Sequence, residues 1–142
     1  MYAFYILLVT ILLTTATLIH AIIQSTGVKG QLICNGQPAK NIQLKLYDVH
    51  AKGSMDEKMA EGRSDKDGKF TVVGFVNRTD QFNPKINIYH DCDDGIKPCQ
   101  RKFEIYIPDN FTSHSERPNK IYELGKIDLS EKWENETRDC FH

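Results

Sequence analysis

The residues that could act in catalysis, metal binding or disulfide formation are concentrated in one short segment. In it, His90, Asp91 and Cys92 precede Asp93 and Asp94. A histidine beside a carboxylate is an arrangement that a general base uses. Grouped aspartates offer the oxygen ligands that Ca²⁺ prefers, and a cysteine supplies either a thiolate nucleophile or half of a disulfide. The segment therefore poses four alternatives: a base, a calcium ligand set, a nucleophile or a structural staple.

The surrounding sequence does not favour metal binding or catalysis by this segment. The aspartates do not follow the spacing of a calcium loop with its terminal glutamate, so we expect solvated turn carboxylates. Cys92 and Cys99 are separated by six residues and lack the second pair of a zinc site. We therefore predict no metal, no cofactor and no catalytic residue, and we expect the imidazole of His90 to be hydrogen-bonded at the end of a strand.

The four cysteines all follow an N-terminal apolar segment, and an even number in an exported domain indicates disulfides. We predict that Cys92 joins Cys99, because the loop between them contains turn-forming residues that fold the chain back. Cys34 would then join Cys140 and connect the first strand to the C-terminal tail. The alternative is that Cys34 and Cys140 are buried free thiols.

The N-terminal segment indicates export. Residues 1–21 form an apolar, hydroxyl-rich run typical of a signal peptide, with cleavage after Ala16 or Ala21 left open. No basic residue precedes the run, so a membrane anchor is the alternative. Sequons at Asn77, Asn110 and Asn135 would accept N-linked glycans. We expect a secreted, extracellular protein with one domain over residues 22–142.

Apolar and polar residues alternate along most of that domain, which predicts strands. Each short strand must bury its apolar face, and about seven of them can do so by forming two sheets that pack against each other. The predicted fold class is therefore all-β, a two-layer antiparallel β-sandwich of about seven strands. We predict a hairpin turn over Asp65–Gly68 and β-bulges at Gly74 and Gly125. The seven predicted strands are 28–34, 42–47, 59–63, 70–76, 85–89, 102–107 and 120–129.

Several segments carry a family likeness in their order along the chain. They include Val28-Lys29-Gly30-Gln31-Leu32-Ile33-Cys34, Leu44-Lys45-Leu46-Tyr47-Asp48, Tyr89-His90-Asp91-Cys92 and Pro98-Cys99-Gln100-Arg101-Lys102. Together they resemble the nematode transthyretin-like family, and the last two are the most specific. The resemblance implies a secreted, transthyretin (prealbumin)-like sandwich, and most members of that family have no assigned biochemical role. One member resembles a bridging factor that binds phosphatidylserine on dying cells and a receptor on the engulfing cell.

The expected function is a non-enzymatic extracellular binding, carrier or signalling domain, with the bridging factor as one alternative. The other alternative is a hydrolase, since a relative of transthyretin hydrolyses 5-hydroxyisourate. That relative carries a C-terminal tyrosine-arginine-glycine-serine signature, whereas this chain ends in Thr137-Arg138-Asp139-Cys140-Phe141-His142. We therefore predict that the protein is not an enzyme.

Partners are predicted only by class. Lys97, Arg101 and Lys102 could contact a ligand or an anionic lipid headgroup, because cationic side chains recognise phosphate. The net charge of −1 gives no reason to expect nucleic acid. An unknown extracellular ligand or cell-surface receptor remains, and a homo-oligomer is left open. Three tyrosines on the wetter strand faces either form an exposed patch or cover a sheet: Tyr47, Tyr89 and Tyr106.

Overall fold

The computed structural model describes residues 1–6, 21–50 and 54–141. Residues 2–6 are helical, and the domain contains strands and one short 3₁₀ helix. The strands are β1 (Ile22–Cys34), β2 (Gln37–Pro38), β3 (Gln43–Asp48), β4 (Glu57–Arg63), β5 (Lys69–Arg78), β6 (Pro84–His90), β7 (Gln100–Tyr106), β8 (Thr112–Ser113), β9 (Tyr122–Asp128) and β10 (Thr137–Asp139), and the 3₁₀ helix is Asp109–Phe111. The seven predicted strands correspond to β1, β3 to β7 and β9. The other three are too short for alternation to reveal them.

The predicted signal peptide over residues 1–21 falls mainly on residues 7–20, which lie outside the described part of the chain. It therefore stays a prediction. In the part of the chain that the structure describes, no helix is both long and apolar enough to cross a membrane.

The strands form two five-stranded sheets, which confirms the all-β sandwich. In the first sheet, β1 pairs with β2, β5, β8 and β9, and in the second sheet the order is β10-β7-β6-β3-β4. All pairs are antiparallel except β1 with β9, which runs parallel from Val28 opposite Tyr122 to Ile33 opposite Asp128. β4 is an edge strand of the second sheet.

The core lies between the sheets and follows the alternation of the strands. Each strand directs every second side chain inward, and burying an aliphatic or aromatic side chain stabilises by about 1.5–3 kcal/mol. The fully buried apolar side chains are Val28, Leu32, Leu44, Leu46, Ile86, Ile88, Phe103 and Leu129. Trp133 from the tail stacks on Phe103, with ring centroids 4.5 Å apart.

The predicted hairpin over Asp65–Gly68 is a turn, but the hairpin assignment is wrong. The turn joins β4 of the second sheet to β5 of the first, so the chain crosses between layers. Gly68 is required there because its φ is +74° and because a Cβ atom would clash with the carbonyl oxygen of Leu32. The crossing fixes β5 above β4 at one side of the sandwich.

The two predicted bulges have different outcomes. The bulge at Gly74 is wrong, since β5 pairs with β1 without a register shift and alternates strictly between exposed and buried residues. Gly74 instead allows close packing, because a Cβ atom there would lie 2.8 Å from Cβ of Met59. The bulge at Gly125 is confirmed by a register shift between Lys29 and Gln31 of β1, opposite β9.

Candidate functional site

The cysteine loop, residues 91–99, connects β6 to β7, and its disulfides correct the predicted pairing. Cys92 joins Cys34, with Cα atoms 5.8 Å apart, and Cys99 joins Cys140. The predicted Cys92–Cys99 and Cys34–Cys140 bonds are wrong, and so is the free-thiol alternative. The β6–β7 ladder ends at His90 opposite Arg101. Cys92 and Cys99 would face each other only if the ladder continued two residues further, and the chain turns away before that.

A signal for the correct pair is present in strand parity. Cys34 shares its parity with Val28 and Leu32 on β1, and Cys92 shares its parity with Ile86 and Ile88 on β6. Both cysteines therefore face inward at the same end of the sandwich, one beside each sheet. The Cys34–Cys92 bond thus connects the two layers.

The three aspartates of the loop bind three different parts of the protein. Asp91 accepts a hydrogen bond from Gln100 Nε2 at 2.8 Å, and Asp93 accepts one from Asn35 Nδ2 at 2.5 Å. Asp94, which is buried, accepts two from Arg138 of the tail, at 2.8 and 2.5 Å. These separate partners hold the carboxylates apart. Asp91 and Asp93 are exposed, as predicted for solvated turn carboxylates, whereas Asp94 is buried and paired with Arg138, so the prediction is wrong for Asp94.

Among the residues described, one group has side-chain atoms close enough together to bind a single metal ion. It consists of Cys34, Cys92 and Asp93, whose possible ligand atoms lie within 4.8 Å of one another. Both sulfur atoms there belong to the disulfide. A disulfide sulfur lacks the thiolate charge that makes cysteine a zinc ligand or a nucleophile. The group therefore acts as a covalent link.

His90 is structural, as predicted. Its side chain is fully buried, its Nδ1 accepts a hydrogen bond from the backbone N–H of Cys92 at 3.1 Å, and its ring packs edge-on against Phe103. Burial, assisted by the nearby Arg101 charge, lowers the pKa of His90 to about 4. The imidazole is therefore neutral at physiological pH and has no access to a substrate in solvent.

The three cationic side chains that were predicted to contact a ligand lie in three different parts of the structure. The prediction is wrong for Arg101, which is 7% exposed and forms two hydrogen bonds of 2.8 Å to Glu136 and one of 2.8 Å to the carbonyl of Cys92. This pairing lowers the pKa of Glu136. Lys102 lies on the opposite face and pairs with Glu104 at 3.2 Å. Lys97 is exposed at the tip of the loop. Ligand contact stays a prediction for these two lysines.

The tyrosines do not form one exposed patch. Tyr89 is 2% exposed and Tyr106 is 50% exposed, and Tyr47 is half-buried and hydrogen-bonded to Tyr89. Tyr47 and Tyr89 line a cleft on the outer face of the second sheet, which we call the tyrosine cleft. Its other lining residues are Met55, Asp56, Lys85, Asn87, Lys102, Asp139 and Phe141.

A larger cleft of about 500 Å³ crosses the outer face of the first sheet, and we call it the lysine cleft. Its lining residues are Lys29, Gly30, Gln31, Lys69, Phe70, Thr71, Glu123, Gly125 and Lys126. Lys29 pairs with Glu123 at 3.1 Å, which lowers the pKa of Glu123. Lys69 and Lys126 form no ion pair within the described residues. The cleft therefore carries excess positive charge.

Sequence reasoning missed the residues that line the lysine cleft, whereas it named three that line the tyrosine cleft, Tyr47, Tyr89 and Lys102. The strands of the lysine cleft were read for their inward-facing core residues, and their outward-facing residues received no role. The available signal was again parity, because Lys29, Lys69 and Thr71 all point away from the core. Outward parity identifies the face, but it does not identify which cross-strand neighbours leave space between them.

The three predicted glycosylation sites are all exposed. Asn77 projects from the outer face of β5, and Asn110 lies in the 3₁₀ helix. The side-chain amide of Asn135 donates a 2.8 Å hydrogen bond to the carbonyl of Glu104. Glycan attachment at these positions stays a prediction.

Comparison with known proteins adds family evidence to this geometry. Residues 29–108 match a family model described as TTR-52: Transthyretin-like family. Three Caenorhabditis elegans proteins are similar over most of their length. Transthyretin-like protein 5 is 46% identical, covering 84% of this chain and 86% of its own. Transthyretin-like protein 33 is 44% identical over 84% and 83%. Transthyretin-like protein 2 is 36% identical over 84% of each chain.

Proposed function

Because the chain belongs to the transthyretin-like family, we propose that it is a secreted, non-enzymatic carrier that binds a small organic anion in the lysine cleft. The observation that carries this proposal is the pair Lys69 and Lys126, which are exposed in the cleft without an ion-pair partner among the described residues. Gly30 and Gly125 leave backbone surface open between the charges, and the ring of Phe70, which is only 6% exposed, lies beneath Gly30. A flat or aliphatic body with one acidic group fits this combination.

The rest of the molecule is consistent with this role. Both pairs of cysteines form disulfides, which persist in oxidising compartments, and the apolar N-terminal segment supports export. His90, the residue that most resembles a general base, is buried and neutral. The domain therefore offers recognition surfaces on a disulfide-linked fold.

Fluorescence titration tests the carrier proposal with a matched pair of probes. The anionic probe is 8-anilinonaphthalene-1-sulfonate, and the neutral probe is N-phenyl-1-naphthylamine, which lacks the sulfonate. We expect saturable binding of the anion, with the neutral probe about tenfold weaker, since charge-assisted contacts are worth about 1.5–3 kcal/mol. Binding of the anion should also weaken with added salt.

The variant Lys69→Gln/Lys126→Gln should weaken anion binding by about tenfold. The matched control is Lys120→Gln/Lys132→Gln, which makes the same charge change at two exposed residues outside the cleft. Equal affinity for both probes, or equal losses in the two double variants, would exclude the lysine cleft as the anion site.

A second candidate function, binding to an anionic membrane, is favoured by the tip of the cysteine loop. Ile96 is fully exposed beside the exposed Lys97. An exposed apolar side chain next to a cation can insert among acyl chains while the ammonium contacts a headgroup phosphate. With Arg101 buried, Lys97 and Ile96 are the residues that would make this contact.

Vesicle co-sedimentation tests this candidate. Binding to vesicles of phosphatidylserine and phosphatidylcholine should exceed binding to phosphatidylcholine alone. It should be lost in Ile96→Asp/Lys97→Gln and kept in Val73→Asp/Lys132→Gln, which changes an exposed apolar residue and a lysine elsewhere. If the loop-tip variant sediments as well as the unaltered protein, the loop is not a membrane contact.

A further inference from the structure

The tyrosine cleft contains a buried polar atom that the fold does not satisfy. Asn87 lies at the middle of the outer face of β6, between Lys45 on β3 and Glu104 on β7. It is 4% exposed, and it lines the cleft. Its Nδ2 group donates to the hydroxyl of Tyr89 at 3.3 Å, whereas its Oδ1 atom has no hydrogen-bond partner among the described residues.

A buried acceptor without a partner is costly, because it has lost its hydrogen bonds to water and gained none in exchange. A ligand that donates one hydrogen bond to Oδ1 would remove that cost. The unsatisfied atom therefore specifies one property of a ligand, namely a single N–H or O–H group directed at Asn87.

The two lysines of the cleft are neutralised by carboxylates. Lys85 pairs with Asp56 at 2.9 Å and with Glu104 at 3.1 Å, and Lys102 pairs with Glu104 at 3.2 Å. Burial raises the pKa of Tyr47 and of Tyr89, so both phenols remain uncharged at neutral pH. A charged ligand would have to separate these pairs, and a neutral ligand would not.

The shape and the rim of the cleft define the rest of the ligand. Its volume of about 290 Å³ lies at the lower end of the range for small-molecule sites, about 300–1,000 Å³. Tyr47 lines one part, and the highly exposed side chains of Met55 and Phe141 line another. Aromatic and thioether groups pack well against a flat ring.

We propose that the tyrosine cleft binds a small neutral aromatic molecule that donates one N–H or O–H hydrogen bond to Oδ1 of Asn87. This site lies on the second sheet and shares no residue with the lysine cleft on the first. It is thus a second binding site, and it takes ligands that differ in charge from those of the first.

Calorimetric titration of the unaltered protein with indole and with 1-methylindole tests this proposal. The two probes share a flat ring system, but the methyl group removes the only N–H donor of indole. Indole should bind about tenfold more tightly, a difference of about 1.4 kcal/mol. Equal affinities, or no measurable indole binding, would show that Asn87 Oδ1 does not select a donor.

The variant Asn87→Leu locates the effect. It removes the acceptor while keeping a similar volume, so indole and 1-methylindole should bind with equal affinity. The control Gln81→Leu makes a polar-to-apolar change at an exposed residue outside both clefts and should keep the tenfold difference. A tenfold difference that survives in Asn87→Leu would overturn the assignment. If this variant does not fold, the two probes on the unaltered protein still decide whether the cleft selects a donor.

Discussion

The two ends of the sandwich connect the same two sheets by different chemistry. At one end, the Cys34–Cys92 disulfide joins the end of β1 to the loop after β6. At the other end, Arg78 of β5 donates a hydrogen bond to Asp48 of β3, and both side chains are buried. We call these the disulfide end and the ionic end.

The ionic end is also a network. Arg78 makes two further hydrogen bonds to Asp80, at 2.7 and 2.6 Å, and the backbone N–H of Asn83 donates to Asp48 at 3.0 Å. These contacts lower the pKa of Asp80 and raise that of Arg78. A small sandwich can therefore close its layers with a covalent bond or with a satisfied ion pair. Each solution is vulnerable to a different perturbation.

The largest expected effect follows from removing the covalent link. Cys34 and Cys92 are 58 residues apart, so Cys34→Ala/Cys92→Ala should lower the free energy of unfolding by about 4 kcal/mol in the chain-entropy model. Urea denaturation of the oxidised proteins measures the change. A loss below about 1 kcal/mol would mean that the disulfide end is held mainly by its noncovalent contacts.

The next effect, about 3 kcal/mol, is expected for Arg78→Met, because the variant leaves the carboxylate of Asp48 buried and unpaired. Adding Asp48→Leu should recover most of that loss, since a buried pair can often be replaced by apolar residues. A double-mutant cycle by urea denaturation measures the coupling. Additive losses from the two substitutions would show that the ion pair does not join the sheets.

The two ends also show which features can be predicted from the sequence and which cannot. Alternation predicted the strands and the two layers, because every strand must bury one face. It also placed His90 at a strand end. It failed for the cysteines because the turn-forming residues between Cys92 and Cys99 do not determine where the β6–β7 ladder ends, and it ends at His90 opposite Arg101. The Asp48–Arg78 pair was missed because its partners lie on different sheets, and alternation does not show which residues of two sheets face each other.

Lowering the pH should weaken the disulfide end, where His90 lies, before it weakens the ionic end. Because the pKa of His90 falls from 6.5 in the unfolded chain to about 4 in the folded protein, its contribution is present above pH 6.5 and is lost as the pH falls towards 4. Stability should therefore decrease by about 2 kcal/mol between pH 7 and pH 5. Asp80, whose pKa is lowered from 3.8, responds only at still lower pH.

The variant His90→Gln identifies the group responsible, because glutamine does not titrate. Urea denaturation across this pH range should show a slope in the unaltered protein and a nearly flat response in the variant. The same slope in both proteins would assign the acid response to another group and would remove the disulfide end as its source.

The smallest expected effect concerns the C-terminal tail, which is held by both kinds of link. Arg101 pairs with Glu136, and the Cys99–Cys140 disulfide fastens the chain only a few residues further on. Glu136→Gln keeps one acceptor for Arg101, so it should cost about 1 kcal/mol in the oxidised protein. The free-energy cost of Glu136→Gln should be smaller in Cys99→Ala/Cys140→Ala, because the tail can then leave Arg101 and expose it to water.

Hydrogen exchange measures how firmly the tail is held. The β10 amides should exchange faster in the variant that combines all three substitutions than the sum of the two separate accelerations predicts. Strictly additive acceleration would mean that the ion pair and the disulfide hold the tail independently.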